Sequence, residues 1–282
     1  MNNKLCLIAF LYLTSFQSYA VGQAGCALPN AGKEIAEGEV FGNTPLTEDE
    51  QFRKAVSLEG QYWSNSKAAN PQAKIGLLSN AKTNNAAAYA RAKINVGGLE
   101  GFEEAEDGIY QTSGNININV KYGSVKNESW ITTVNSDTPG EFEFRINNVN
   151  KYMERLEKEY AVAGQSVGKI SGTRVNPLTR KFIQEYLTFS DDGLPFEEGG
   201  RLLNEVSGLP GMHAEVLAFN DMVNIAEEYG VTLTEEELSR ITIATVRVSK
   251  LPLKTGFDFT ACPNCSGILN RTGVSIITND PL

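Results

Sequence analysis

Two stretches decide how the C-terminal third of this chain folds. They are Gly211-Met212-His213-Ala214-Glu215-Val216-Leu217-Ala218 and Ala261-Cys262-Pro263-Asn264-Cys265-Ser266-Gly267-Ile268-Leu269. Between them, Ile241-Thr242-Ile243-Ala244-Thr245-Val246-Arg247-Val248 is rich in β-branched residues and reads as a strand. A helix is expected from Met212 to about Tyr229, with Gly230 as its stop. That reading makes His213 and Glu215 first-turn residues. A short helix over 262–269 and a final strand over 274–278 complete the segment. Helix, strand, helix, strand in this order predicts parallel strands joined by helices, hence an α/β layer.

His213 is the only histidine in the 282 residues. Zinc takes nitrogen and sulfur ligands in a tetrahedron, with one position left open where it is catalytic. His213, Cys262 and Cys265 supply three such ligands. The cysteine spacing of three puts both thiols on one face of a helix start. There the helix dipole and a cation both favour thiolate. Glu215, two residues past the histidine, can point into the same pocket without binding the metal and suits a proton shuttle. Taken apart, the pieces have plainer readings. His213 alone suits a satisfied polar core residue. The cysteines alone suit a disulfide, a thiol redox pair or a structural zinc site, although structural zinc wants four protein ligands and no further Cys or His is nearby.

On these two stretches the chain resembles the cytidine-deaminase-like zinc deaminase superfamily, and within it the deaminase domains of bacterial secreted toxins. The specific resemblance covers about residues 200–280. It implies Zn²⁺ held by His213, Cys262 and Cys265, with Glu215 moving protons while the exocyclic amine of a nucleobase leaves as ammonia. Cytosine is favoured over adenine. It also implies a three-layer helix–sheet–helix domain, assigned to 111–282. One departure stands out: where the family has Pro immediately before the first cysteine, this chain has Ala261, and Pro263 follows the cysteine instead. Ligand spacing is intact, and the shape of the adjacent loop differs.

Further pocket candidates rest on less. Phe257 and Phe259 precede the cysteine helix and can stack on a base, although core burial is the commoner use of phenylalanine. Asn204 could reach a substrate from a short strand over 202–206. Asn220 and Asp221, two turns beyond His213, read as solvated or capping residues.

Residues 1–20 read as a signal peptide. Lys4 precedes the apolar run Leu5 to Phe16, and Ser18-Tyr19-Ala20 forms a cleavage triplet. The run is too short to span a bilayer, so export without a transmembrane anchor is expected, secreted or periplasmic. Residues 21–110 form the expected N-terminal region, mostly helical, for delivery or masking. Within it, one helix is expected from Thr47-Glu48-Asp49-Glu50 to about Tyr62, and an Ala-rich one from Pro71 to Lys93. Strands are expected over 115–120, 130–134 and 141–146, the last two as a hairpin, and helices over 150–163 and 178–189. The composition, 41% hydrophobic and 21% charged, is that of a globular chain. Its net charge of −9 disfavours a long nucleic acid, whose affinity comes from Lys and Arg on phosphates. A nucleotide or a single-stranded nucleic acid is the expected substrate, and an immunity protein a possible partner. Two alternatives stay open: a non-catalytic exported module with a structural zinc site, and an extracytoplasmic Cys-x-x-Cys thiol oxidoreductase.

Overall fold

The structure is a computed structural model. It describes residues 46–69, 88–99, 101–102, 108–118, 120–136, 142–167, 174–196, 199–248 and 256–278. The expected signal peptide and the lead-in up to residue 45 lie outside the described residues, as do 71–87 of the expected Ala-rich helix.

Thr47–Leu282 form one compact unit. It opens with α1 (Glu48–Ala69). The Glu50 carboxylate accepts from the Thr47 backbone N–H at 2.6 Å, and the Thr47 hydroxyl accepts from the Glu50 N–H at 3.3 Å. This capping box starts the helix where the acidic run predicts it. The main sheet then has the order β2-β1-β7-β8, with β3 also on β1. Its strands are β1 (Ala88–Asn95), β2 (Ile109–Gln111), β3 (Asn115–Ile116), β7 (Ile241–Arg247) and β8 (Ser275–Ile276). β1 and β7 pair antiparallel from Ala88↔Arg247 to Ile94↔Ile241, and β7 pairs parallel with β8. The parallel pair is the one expected from the C-terminal order of elements. A second antiparallel sheet joins β4 (Ile131–Asn135), β5 (Phe142–Ile146) and β6 (Leu202–Asn204), so the expected hairpin forms. A four-residue helix, α2 (Tyr122–Val125), precedes it.

Helices α3 (Val149–Val167), α4 (Pro177–Thr188), α5 (Ala214–Glu228), α6 (Glu235–Leu238) and α7 (Pro263–Leu269) complete the unit. Every residue of α5 from Ala214 to Ala226 is buried, as befits a helix enclosed on all sides. It packs on the face of β1 made by Ala88, Ala90, Ala92 and Ile94, which share its core. The other face of the sheet carries Tyr89, Ala244, Val246 and Val248 against Phe52 and Val56 of α1. The chain is thus α/β, with the main sheet between α1 and α5.

One expectation is corrected here. Residues 88–93, expected at the end of an Ala-rich helix, form most of β1. Ala is a poor strand former, but the odd and even positions of this segment face two different layers, and that period-2 demand decides. α1 and β1, which precede residue 110, belong to the same compact unit as the elements that follow it.

The α1 layer is partly ionic. Glu59 accepts from Arg91 at 2.5 Å and from the Tyr89 hydroxyl at 2.5 Å. Lys93 pairs with Glu48 at 2.5 Å and Asp49 at 2.8 Å, and Arg53 pairs with Asp258. The Arg91 and Glu59 side chains are 9% and 22% exposed. Glu59→Gln therefore leaves a buried guanidinium without its counter-charge. Breaking such a pair costs about 3–5 kcal/mol when fully buried, and residual water access at Glu59 reduces this to about 2 kcal/mol. Urea unfolding should show the loss as a lower midpoint at constant slope. An unchanged midpoint would remove the ionic account of this layer.

Candidate metal centre and active site

The N-termini of α5 and α7 converge. His213 holds the N-cap position of α5 in extended conformation (φ −96°, ψ 159°), with no side-chain cap bond of its own. It thus stands one residue before the helix in which the sequence placed it. The cap acceptor comes from elsewhere: Asn117 Oδ1 accepts from Ala214 N at 2.8 Å. This leaves the imidazole free to face α7. Cys262 holds the equivalent N-cap position of α7, with Pro263 in the first turn and no side-chain cap bond. One helical turn later Cys265 points the same way, at the core.

His213 Nδ1 lies 3.1 Å from Cys262 Sγ and 3.3 Å from Cys265 Sγ, and the two sulfurs are 3.4 Å apart. The three side chains form a group able to hold a metal ion. With Zn–S near 2.3 Å and Zn–N near 2.0–2.1 Å, a tetrahedral site has ligand–ligand edges of about 3.5–3.8 Å. The triangle needs to open by only a few tenths of an ångström, and its donor set of one imidazole and two thiols fits zinc.

Glu215, 2% exposed, lies beside this triangle. The Cys265 thiol donates to its Oε2 at 3.6 Å. Burial is the main influence on Glu215 and raises its pKa above the usual carboxylate range. Cys262 is pulled down to about 4, first by its hydrogen bond with Cys265 and, against burial, by His213. Burial pushes Cys265 the other way. Burial also opposes charge on His213, but the Cys262 thiolate and Glu215 outweigh it and raise its pKa. A thiolate, a second thiol one helical turn on and an imidazole that gains from the thiolate's charge make a natural cation site.

The turn before His213 is clamped on several sides. The buried Tyr152 and Tyr160 hydroxyls donate to the carbonyls of Pro210 (2.5 Å) and Gly211 (2.6 Å). Asn264, between the cysteines, donates to the carbonyls of Ser207 (3.1 Å) and Gly208 (2.9 Å). None of Asn117, Tyr152, Tyr160 and Asn264 was singled out from sequence. The one local signal was Asn264, a residue of fixed place inside the Cys-x-x-Cys.

The remaining sequence candidates fall in different places. The segment 256–259 pairs with the end of β7, Phe257 O accepting from Arg247 N at 2.8 Å and Phe259 N donating to Thr245 O at 3.0 Å. Phe259 is half-buried beneath the Arg247 guanidinium, 4.5 Å from its ring centroid, while Phe257 is 65% exposed. Asn204 ends β6, half-buried and opposite Glu143 of β5. Asn220 and Asp221 are not solvated: both are fully buried. Asn220 Oδ1 accepts from Asn176 N at 2.8 Å and its amide donates to Arg174 O at 2.9 Å, which ties α5 to the start of α4. Asp221 accepts from Asn115 Nδ2 at 3.0 Å, which ties α5 to β3.

No curated protein and no solved structure matches the chain. Residues 145–274 match a family model described as YwqJ-like deaminase. That family is toxin-associated and cytidine-deaminase-like. The matched segment runs from the end of β5 past α7 and holds His213, Glu215, Cys262 and Cys265. Over residues 145–274 the chain is therefore similar to the YwqJ-like deaminase family, in keeping with the resemblance carried by its His-x-Glu and Cys-x-x-Cys stretches.

Proposed function

We propose that this chain is an exported, zinc-dependent deaminase that removes the exocyclic amine of a nucleobase, cytosine before adenine, in nucleotides or single-stranded nucleic acid, and that it serves as a toxin or effector. One observation carries the reading. Two helix N-termini bring one imidazole and two thiols within 3.1–3.4 Å of one another, with a buried carboxylate at their side.

His213 Nδ1, Cys262 Sγ and Cys265 Sγ would hold the zinc, which supplies the Lewis acidity that brings a water's pKa toward neutrality. The helix ends behind the ligands add positive potential that favours both thiolates. Glu215 carries the protons. Its raised pKa suits a group that takes a proton from the attacking water and gives it to the ring nitrogen, then takes the proton of the added hydroxyl and gives it to the departing amine. Water adds at the carbon bearing the amine, the C–N bond breaks, ammonia leaves and a carbonyl remains. Phe259 and the exposed Phe257 are stacking candidates for the base or its neighbours. The signal segment supports export, and an exported enzyme of this chemistry does not serve salvage in its own cell. An immunity protein in the producing cell is the partner that such a role requires.

Sequencing nucleic acid from cells that express the chain without residues 1–20 tests the reading. C-to-T changes are expected, with A-to-G as the signature of the adenine alternative. Absence of both from DNA and RNA, with no ammonia released from cytidine or adenosine nucleotides, would overturn it.

A second reading draws on the same cysteines. Sulfurs 3.4 Å apart, one of them with a pKa near 4, are also what a thiol redox pair needs. That reading predicts a titratable Cys262–Cys265 disulfide and no bound metal.

A further inference from the structure

We infer that Asn264, held in turn by Tyr186, is a positioning residue that fixes the imidazole of His213 for metal binding; this rests on the zinc-site reading above. Metal-binding histidines are usually oriented through the second ring nitrogen, which donates to a carboxylate or carbonyl. Here Nδ1 faces the two thiols. The opposite nitrogen is backed by the main chain of Gly208, where a Cβ would fall 2.7 Å from Nε2. The ring's pose therefore depends on where the Gly208 turn sits. That turn needs a glycine twice over, since its φ is +66° and a side chain would meet the ring.

Asn264 holds the turn. Its amide nitrogen donates to the carbonyls of Ser207 and Gly208, one hydrogen for each, and its Oδ1 accepts from the Tyr186 hydroxyl at 2.9 Å. The network settles which way the amide points, because a flipped amide would set oxygen against two carbonyls. Asn264 is 2% and Tyr186 3% exposed, so water is a poor substitute for either bond. Tyr186 is itself fixed. The Arg201 guanidinium lies 4.2 Å from its ring centroid, and Gly267 of α7 lies so close that a Cβ there would fall 2.2 Å from the ring. Since Asn264 sits between the two cysteines, one turn of α7 orients both thiols and, through its amide, the histidine that completes the triangle.

The test uses Co²⁺ as the probe metal, in the full chain and in Asn264→Ala, Tyr186→Phe, Gly208→Ala and the Asn264→Ala/Gly208→Ala pair. Wild type should show sulfur-to-cobalt charge transfer and tetrahedral d–d bands. Asn264→Ala should keep the charge transfer, because both thiols remain, but shift the d–d bands and weaken metal affinity about 10–100-fold in chelator competition. Tyr186→Phe, which keeps the ring packing, should do the same more weakly, by about 3–10-fold. Gly208→Ala should shift the bands as Asn264→Ala does, and the pair should lose less than the product of the singles, since both act on one turn. A purely structural role would lower the melting temperature and leave the cobalt spectrum of the folded protein unchanged, and that result overturns the inference. Should Asn264→Ala fail to fold, Tyr186→Phe decides alone: wild-type affinity and spectrum there overturn it. Wild type that binds no Co²⁺ through sulfur fails the zinc-site reading itself and takes this inference with it.

Discussion

Glu215→Gln is expected to lower deamination by about 10⁴-fold, the upper end for a proton-transferring group because this carboxylate serves more than one transfer, while the metal stays bound. Glutamine matches the shape and cannot take a proton. The fold should not suffer. The amide has the same size as the buried carboxylate and keeps the packing around position 215. The variant should therefore melt close to the wild-type temperature, with full zinc by elemental analysis. Three measurements decide: ammonia release, zinc content and melting temperature. A variant that keeps a tenth of wild-type turnover removes Glu215 from the chemistry. One that loses its zinc makes Glu215 a ligand instead, against the 3.6 Å approach that it makes to Cys265 from outside the triangle.

The parts of the site that the sequence made legible are those that chemistry restricts to few residue types. A soft, tetrahedral cation wants imidazole and thiolate, and only one histidine and few cysteines could serve. Their order along helix, strand and helix followed from the β-branched stretch 241–248, whose pairing with β8 came out parallel as that order demands. What stayed hidden was set by partners distant in the chain. Asn117 looked like the polar face of a strand, yet it caps a helix that begins 97 residues later. Asn220 and Asp221 looked solvated because both side chains are polar, although Phe219 and Met222 on either side of them are apolar. In the fold they meet Asn176, Arg174 and Asn115 in the interior.

The β1 misreading has the same origin at the level of packing. Ala88, Ala90 and Ala92 suggested helix by intrinsic preference. They are small because α5 lies directly over them, and all three are buried in its core. Between them, Tyr89, Arg91 and Lys93 turn to the ionic layer under α1. Alternating small apolar and large polar residues was the strand signal, and the alanine content masked it.

Chelation gives the second large effect. If His213, Cys262 and Cys265 hold zinc in the folded state only, free zinc at 1,000 times its dissociation constant stabilises the fold by about 4 kcal/mol. For a unit of this size that is roughly 10 °C in melting temperature, lost when a strong chelator is added. Cys265→Ser should melt at the same temperature with and without chelator, because a serine hydroxyl is a poor zinc ligand and the remaining pair binds weakly. It should also melt below the chelated wild type, since Cys265 is 1% exposed, belongs to the main core and would be replaced there by a polar group. The comparison separates the roles of the metal. A non-catalytic module with a structural zinc site predicts the chelator shift and no deamination by either wild type or Glu215→Gln. A thiol redox pair predicts no chelator shift and a melting temperature that moves with dithiothreitol. Only the deaminase reading predicts both the roughly 10 °C loss on chelation and the collapse of activity in Glu215→Gln with zinc still bound.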